Sequence, residues 1–187
     1  MVDVIVFHHA QGLTAGVHEF AGRLGGAGHR VMVPDLYGGE MFDSVDGGVA
    51  HAEAIGFDTL IDRGVAAAAS LDGPFAVVGF SLGVLPAQNL AQTHSRANGA
   101  VLCHAAIPLG AFGDIWPDGV ALQLHTAERD PLGDHEDAVA LAAAVESAEL
   151  FTYDTDAHLF VDSSLPDHDP AMAEQILERT LALLATL

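Results

Sequence analysis

Apolar residues along this chain fall into two alternating patterns. Short runs that are apolar on consecutive residues, such as the centre of Asp3 to His8 (DVIVFH), read as strands buried on both faces. Longer stretches carry apolar residues on one helical face, as Val17, Phe20, Ala21 and Leu24 do within Thr14 to Leu24. Thr14 is a suitable N-cap there, and Gly25, Gly26 and Gly28 close the helix. Further strands are predicted over 30–34, 75–79, 99–104, 120–126 and 149–153. Helices are predicted over 54–71, 82–93, 137–147 and 171–187. The Gly- and Asp-rich stretch 35–50 reads as a loop. Strand and helix alternate without an internal repeat or linker. The expectation is one α/β domain over 1–187, with about six or seven mostly parallel strands and helices on both faces. Ligands of such sheets bind beyond the carboxyl ends of the strands, so functional residues are sought there.

Composition narrows the chemistry. The chain has 187 residues, half of them hydrophobic, with 26 acidic and 6 basic residues and a net charge of −20. None of the basic residues is a lysine, which removes lysine Schiff bases, pyridoxal phosphate and the Walker A phosphate loop. The acidic balance disfavours nucleic acid and anionic membranes as partners. No apolar run reaches the roughly 20 residues that cross a bilayer. The first residues read as a strand and not as a signal peptide, and the single cysteine, Cys103, allows no internal disulfide. A cytoplasmic protein is expected.

One junction stands out. Gly79-Phe80-Ser81-Leu82-Gly83 fits the Gly-x-Ser-x-Gly elbow and lies between a predicted strand and a predicted helix. A serine there is raised above the sheet, and the following helix aims backbone N–H groups at a developing oxyanion. It needs a base, and in this fold the chain order is serine, acid, histidine. Asp130 follows the fifth strand and His158 the sixth. They are the expected acid and base, with Glu128 and Asp134 as rivals to Asp130. Leu82 and Ala10 are the expected oxyanion donors, with Gln11 as the alternative to Ala10. His9, Gln11, Tyr37, Ile107, Phe112 and Trp116 are candidates for the substrate pocket. Cys103 could serve as a thiol nucleophile but reads as a small core residue. His8, His9, His104 and His125 lie near strand ends but lack the spacing of a zinc site, so neither metal nor cofactor is expected.

Four segments carry a resemblance. "FHHAQGL" is similar to a His-Glu-x-x-Gly-Leu loop. "AGHRVMVPDLYGG" is similar to an Ala-Gly-Tyr-x-Val-x-x-Pro-Asp-Leu-Tyr segment. "AERDP" and "HLF" match motifs around a catalytic acid and histidine. The chain thus resembles the dienelactone hydrolase family of α/β-hydrolases, from the first strand to the last helix. The resemblance implies a hydrolase of lactones or esters without a cap domain. Ser81 replaces the family's cysteine, and His9 stands where the family has a glutamate. Gly39 and Asp162 stand where it has substrate-binding arginines. A substrate carboxylate would meet no cation at either position. The expected substrate is a small neutral ester, thioester or lactone, cleaved through an acyl-enzyme on Ser81. The alternative is a hydrolase fold that has lost catalysis and serves as a binding or scaffold protein. Oligomeric state is not legible in the sequence.

Overall fold

A computed structural model describes residues 1–187. Six strands form one sheet: β1 (Asp3–Phe7), β2 (Arg30–Met32), β3 (Phe75–Phe80), β4 (Ala97–Cys103), β5 (Ala121–Ala127) and β6 (Ala148–Tyr153). Their order is β2-β1-β3-β4-β5-β6, and every neighbouring pair is parallel. The helices are α1 (Ala15–Gly26), α2 (Val45–Ile55), α3 (Phe57–Ala68), α4 (Val84–Thr93), α5 (His135–Ala144) and α6 (Pro170–Leu184).

Side chains alternate across each strand, and the two faces build two cores. Ile5, Phe7, Phe75 and Val77 pack with residues of α2, α3, α4 and α5. Val4, Val6, Ala76 and Val78 pack with Val17, Phe20 and Leu24 of α1 and with Ile176, Leu177 and Leu184 of α6. Burial on both faces explains why β1, β3 and β4 are apolar almost throughout. Cys103 belongs to the second core and is fully buried.

Local signals set the helix ends. The Thr14 hydroxyl accepts from the Val17 N–H at the start of α1. Asp169 accepts from the Ala171 and Met172 N–H groups ahead of α6, whose first residue is Pro170. The 35–50 loop and the single 54–71 helix need correction. The loop gives way to α2 at Val45, where Ser44 accepts from the Gly47 N–H. Gly56, at φ 91°, then ends α2 and begins α3. Gly47 and Gly48 made the start of α2 look like loop, because glycine weakens an isolated helix. The strand predicted over 30–34 stops at Met32, and β4 starts at Ala97, before Gly99. No helix is long and apolar enough to cross a membrane.

Candidate active site

β3 ends at Phe80, and Ser81 begins a short 3-10 turn that leads into α4. Ser81 has φ 49°, a left-handed conformation that costs a non-glycine residue on the order of 1–3 kcal/mol. The flanking glycines are required by space. A Cβ on Gly79 would lie 2.6 Å from the Gly83 carbonyl oxygen, and a Cβ on Gly83 would lie 2.5 Å from that of Phe7. The turn therefore fits between β1 and α4 only without side chains at 79 and 83. It leaves Ser81 partly exposed at the carboxyl end of the sheet.

Two other strand ends bring their side chains to this serine. The Ser81 hydroxyl donates to Nε2 of His158 at 2.8 Å. Nδ1 of His158 donates to Oδ2 of Asp130 at 2.5 Å. Asp130 and His158 are both buried. The other Asp130 oxygen accepts from the Leu132 N–H at 2.9 Å, which fixes the carboxylate plane. Of the three acids considered after β5, Asp130 is the one bonded to His158; Glu128 is exposed, and Asp134 faces the cleft.

The loop after β1 runs beside this group. The Gln11 N–H donates to Nδ1 of His9 at 3.2 Å, and the Gly12 N–H donates to the His9 carbonyl at 3.0 Å. The Ala10 N–H donates to no protein group, although Ala10 is only 1% exposed. Buried backbone N–H groups rarely stay unpaired. Ala10, Ser81 and Leu82 line the same cleft, so the residue with this free donor borders the cleft that Ser81 opens into.

That cleft holds about 380 Å³. Val49, Ile61, Leu85, Ile107 and Phe112 are among its apolar walls, and its only polar side chains are Ser81, Asp58 and Asp134. Of the candidate pocket residues, Ile107 and Phe112 line this cleft. Tyr37 and Trp116 do not. Tyr37 is buried, donates its hydroxyl to the Gly48 carbonyl, and packs edge-on against His8, Phe42 and His51. Trp116 donates its ring N–H to the Val120 carbonyl and lines a separate depression with Leu109 and Pro117. The polar ends of both rings are satisfied by backbone away from Ser81. Gln11 is also turned away: its side chain donates to the Phe42 carbonyl.

His9 is fully buried and outside the cleft. Its Nε2 donates to Oδ2 of Asp162 at 2.8 Å. Thr14 Oγ1 also donates to Oδ2, while the Ser164 N–H and hydroxyl donate to Oδ1 at 2.8 and 2.6 Å. Burial alone would raise the Asp162 carboxyl, but the bonds from His9, Ser164 and Thr14 outweigh it and hold it at about 2. His9 and Asp162, two separate departures in the sequence comparison, are one contact in space.

His104 lies just beyond β4, and no sequence motif marks it as part of the site. It has φ 69°, is fully buried, and stands edge-on to Phe160, with its ring centroid 6.0 Å from that of His158. Burial holds it neutral, well below the usual histidine range. It forms an uncharged aromatic floor beneath His158. No group of histidine, cysteine and acidic side chains is placed to hold a metal ion.

The family model of the dienelactone hydrolase family matches residues 2–187. The chain belongs to the dienelactone hydrolase family. Solved structures agree at the level of fold. A dienelactone hydrolase-like promiscuous phosphotriesterase from metagenomic libraries is 22% identical, with a TM-score of 0.75, over 100% of this chain and 87% of that one. A putative dienelactone hydrolase from Klebsiella pneumoniae is 17% identical, with a TM-score of 0.76, over 99% and 87%. A cold-adapted esterase from an Arctic intertidal metagenomic library is 18% identical, with a TM-score of 0.61, over 81% and 72%. No curated protein sequence matches the chain. The dienelactone hydrolase family and these folds make the protein a hydrolase with an α/β-hydrolase fold and no cap domain.

Proposed function

We propose that this dienelactone hydrolase family member is a serine hydrolase that cleaves a small, uncharged ester, thioester or lactone. The observation that carries this reading is the bonded chain Ser81–His158–Asp130, at 2.8 and 2.5 Å, beside an apolar cleft. Ser81 Oγ attacks the carbonyl carbon as its proton passes to Nε2 of His158. Asp130 holds the imidazole in the required tautomer and stabilises the imidazolium. The carbonyl oxygen gains the negative charge and is bound by the N–H groups of Ala10 and Leu82. The tetrahedral intermediate collapses, the carbon–oxygen or carbon–sulfur bond to the leaving group breaks, and His158 returns the proton to that group. Water then attacks the acyl-Ser81 ester with His158 again as base. The acid is released and the Ser81 hydroxyl is restored.

The cleft supports the substrate class. Its walls are apolar, and its two charged side chains, Asp58 and Asp134, are carboxylates. A substrate bearing its own carboxylate would be repelled there, whereas an uncharged acyl or alcohol group is accommodated. No cofactor takes part in these steps. A cytoplasmic location is supported by the one cysteine, buried and unpaired.

The test is a fluorophosphonate probe together with a panel of neutral esters and lactones. Labelling and turnover that both vanish in Ser81→Ala support the reading. A folded wild-type protein that neither labels nor turns over any ester overturns it in favour of a binding or scaffold protein.

A further inference from the structure

We propose that His9 and Asp162 form a second histidine–carboxylate pair, which positions the Ala10 N–H as an oxyanion donor. The inference rests on the serine-hydrolase reading and assigns a role to two residues outside the triad.

The amides of Ala10, Gln11 and Gly12 follow one another in the loop after β1. The Gly12 N–H is taken by the His9 carbonyl and the Gln11 N–H by Nδ1 of His9. Only the Ala10 N–H remains free. His9 thus decides which amide serves the site.

That decision requires one tautomer. Nδ1 accepts from Gln11 only if the ring proton is on Nε2. Asp162 accepts that proton's hydrogen bond and so fixes the tautomer, as Asp130 fixes that of His158. With the other tautomer, Nδ1–H would face the Gln11 N–H, two donors would oppose each other, and the 10–11 peptide would turn. Asp162 is well suited to the role. Its oxygens accept from His9, from Thr14 and twice from Ser164, and both members of the pair are at most 1% exposed. Thr14 also caps α1, so the clamp is tied to the helix that follows the loop.

The pair also joins two parts of the site. Asp162 lies four residues after His158 in the segment between β6 and α6. The segment that presents the base therefore also sets the oxyanion loop. His9 and Asp162 are positioning residues, since neither lines the cleft.

The test compares His9→Leu, His9→Asn and Asp162→Asn with wild type, using a neutral ester and an alkyl boronic acid. The boronic acid forms a tetrahedral adduct with Ser81 whose oxygen occupies the oxyanion position. Leucine neither accepts from Gln11 nor donates to Asp162. Asparagine at 9 keeps an acceptor near the position of Nδ1. Asp162→Asn nearly preserves shape but weakens the clamp. His9→Leu is expected to lower kcat about 100-fold, within the range for loss of one oxyanion donor. KM should stay within about threefold, and boronate affinity should fall in parallel with kcat/KM. His9→Asn should recover most of the loss, and Asp162→Asn should fall between. The proposal is overturned if folded His9→Leu and Asp162→Asn keep kcat within threefold of wild type. Loss of turnover with unchanged boronate affinity also overturns it. If His9→Leu does not fold, Asp162→Asn and His9→Asn decide the matter by the same criteria. Wild-type labelling by the fluorophosphonate probe separates this failure from failure of the serine-hydrolase reading.

Discussion

Gly48 of α2 lies against the carbonyl of Ala10, so close that a methyl group at residue 48 would overlap the carbonyl oxygen and carbon. The helix is thereby pressed onto the loop that carries the free N–H. The Tyr37 hydroxyl, donating to the Gly48 carbonyl, holds the contact from the other side. Glycine costs an α-helix about 1 kcal/mol relative to alanine, so its place here follows from closeness and not from helix propensity.

Gly48→Ala is therefore expected to lower both stability and turnover. Overpacking against backbone costs about 1–3 kcal/mol, and displacement of Ala10 should reduce kcat/KM about tenfold or more. Gly22→Ala in α1 is the control. A Cβ there meets nothing within 4 Å, so that change should stabilise the protein by about 0.5–1 kcal/mol and leave turnover unaltered. Denaturant titration and ester kinetics on both variants provide the check.

Asp130→Asn should leave the fold intact and lower kcat by about 10⁴-fold, the size seen when the acid of a serine triad is neutralised. The asparagine carbonyl can still accept from the Leu132 N–H, but its amide can turn His158 to the unproductive tautomer. Matching circular dichroism and unfolding midpoints, set beside the kinetic loss, would separate tautomer control from unfolding.

Stability should fall on acidification below neutrality. Burial pulls His8 down to about 4 and His125 down to about 3, while an unfolded histidine titrates near 6.5. Between about pH 6.5 and those values the unfolded chain binds protons that the folded chain does not. Each of these groups thus removes up to about 1.4 kcal/mol per pH unit as pH falls through its window. His104 acts in the same direction. The Asp162 carboxyl, held at about 2, contributes in full above about pH 4 and loses its contribution between about pH 4 and 2. Urea midpoints should be flat above about pH 7 and drop steadily from about pH 6.5 to 4. A midpoint that does not change between pH 7 and 4.5 would contradict the buried neutral histidines.

Charge on the substrate should matter through Asp134. Burial, with Asp137 and Asp130 nearby, pushes its carboxyl above the ordinary range, yet it borders the cleft beside Asp58. A neutral aryl butyrate should be turned over at least about tenfold more efficiently than the corresponding aryl hemisuccinate. Asp134→Asn should narrow that ratio, mainly through the KM of the anionic ester. Paired kinetics at low ionic strength, where screening is weakest, give the clearest reading.

The sequence shows the layered fold because its strands are apolar on both faces and its helices on one. The glycines around Ser81 and the acid and histidine after β5 and β6 were legible for a related reason: each sits at the end of a recognisable strand. Contacts between distant loops left no such trace. Val49, Leu85 and Leu132 wall the cleft from three separate segments, and nothing local marks them. His9 and Asp162 are 153 residues apart, and each alone reads as a departure from a family pattern. Tyr37 and Trp116 were misplaced because an aromatic ring in a loop has the same sequence signature whether it faces a ligand or bonds to backbone. Gly47 and Gly48 hid the start of α2, and at Gly48 tertiary closeness overrode helix propensity.

Cys103 lies in the middle strands of the sheet without exposed surface, and burial pushes its thiol far above the usual range. The chain thus carries no thiol that an alkylating reagent can find while the fold holds. Ser81→Cys would create a single addressable thiolate, so exchange of the attacking atom could be followed by iodoacetamide without background. Cysteines installed one at a time around the opening would carry spin or fluorescent labels with the same selectivity.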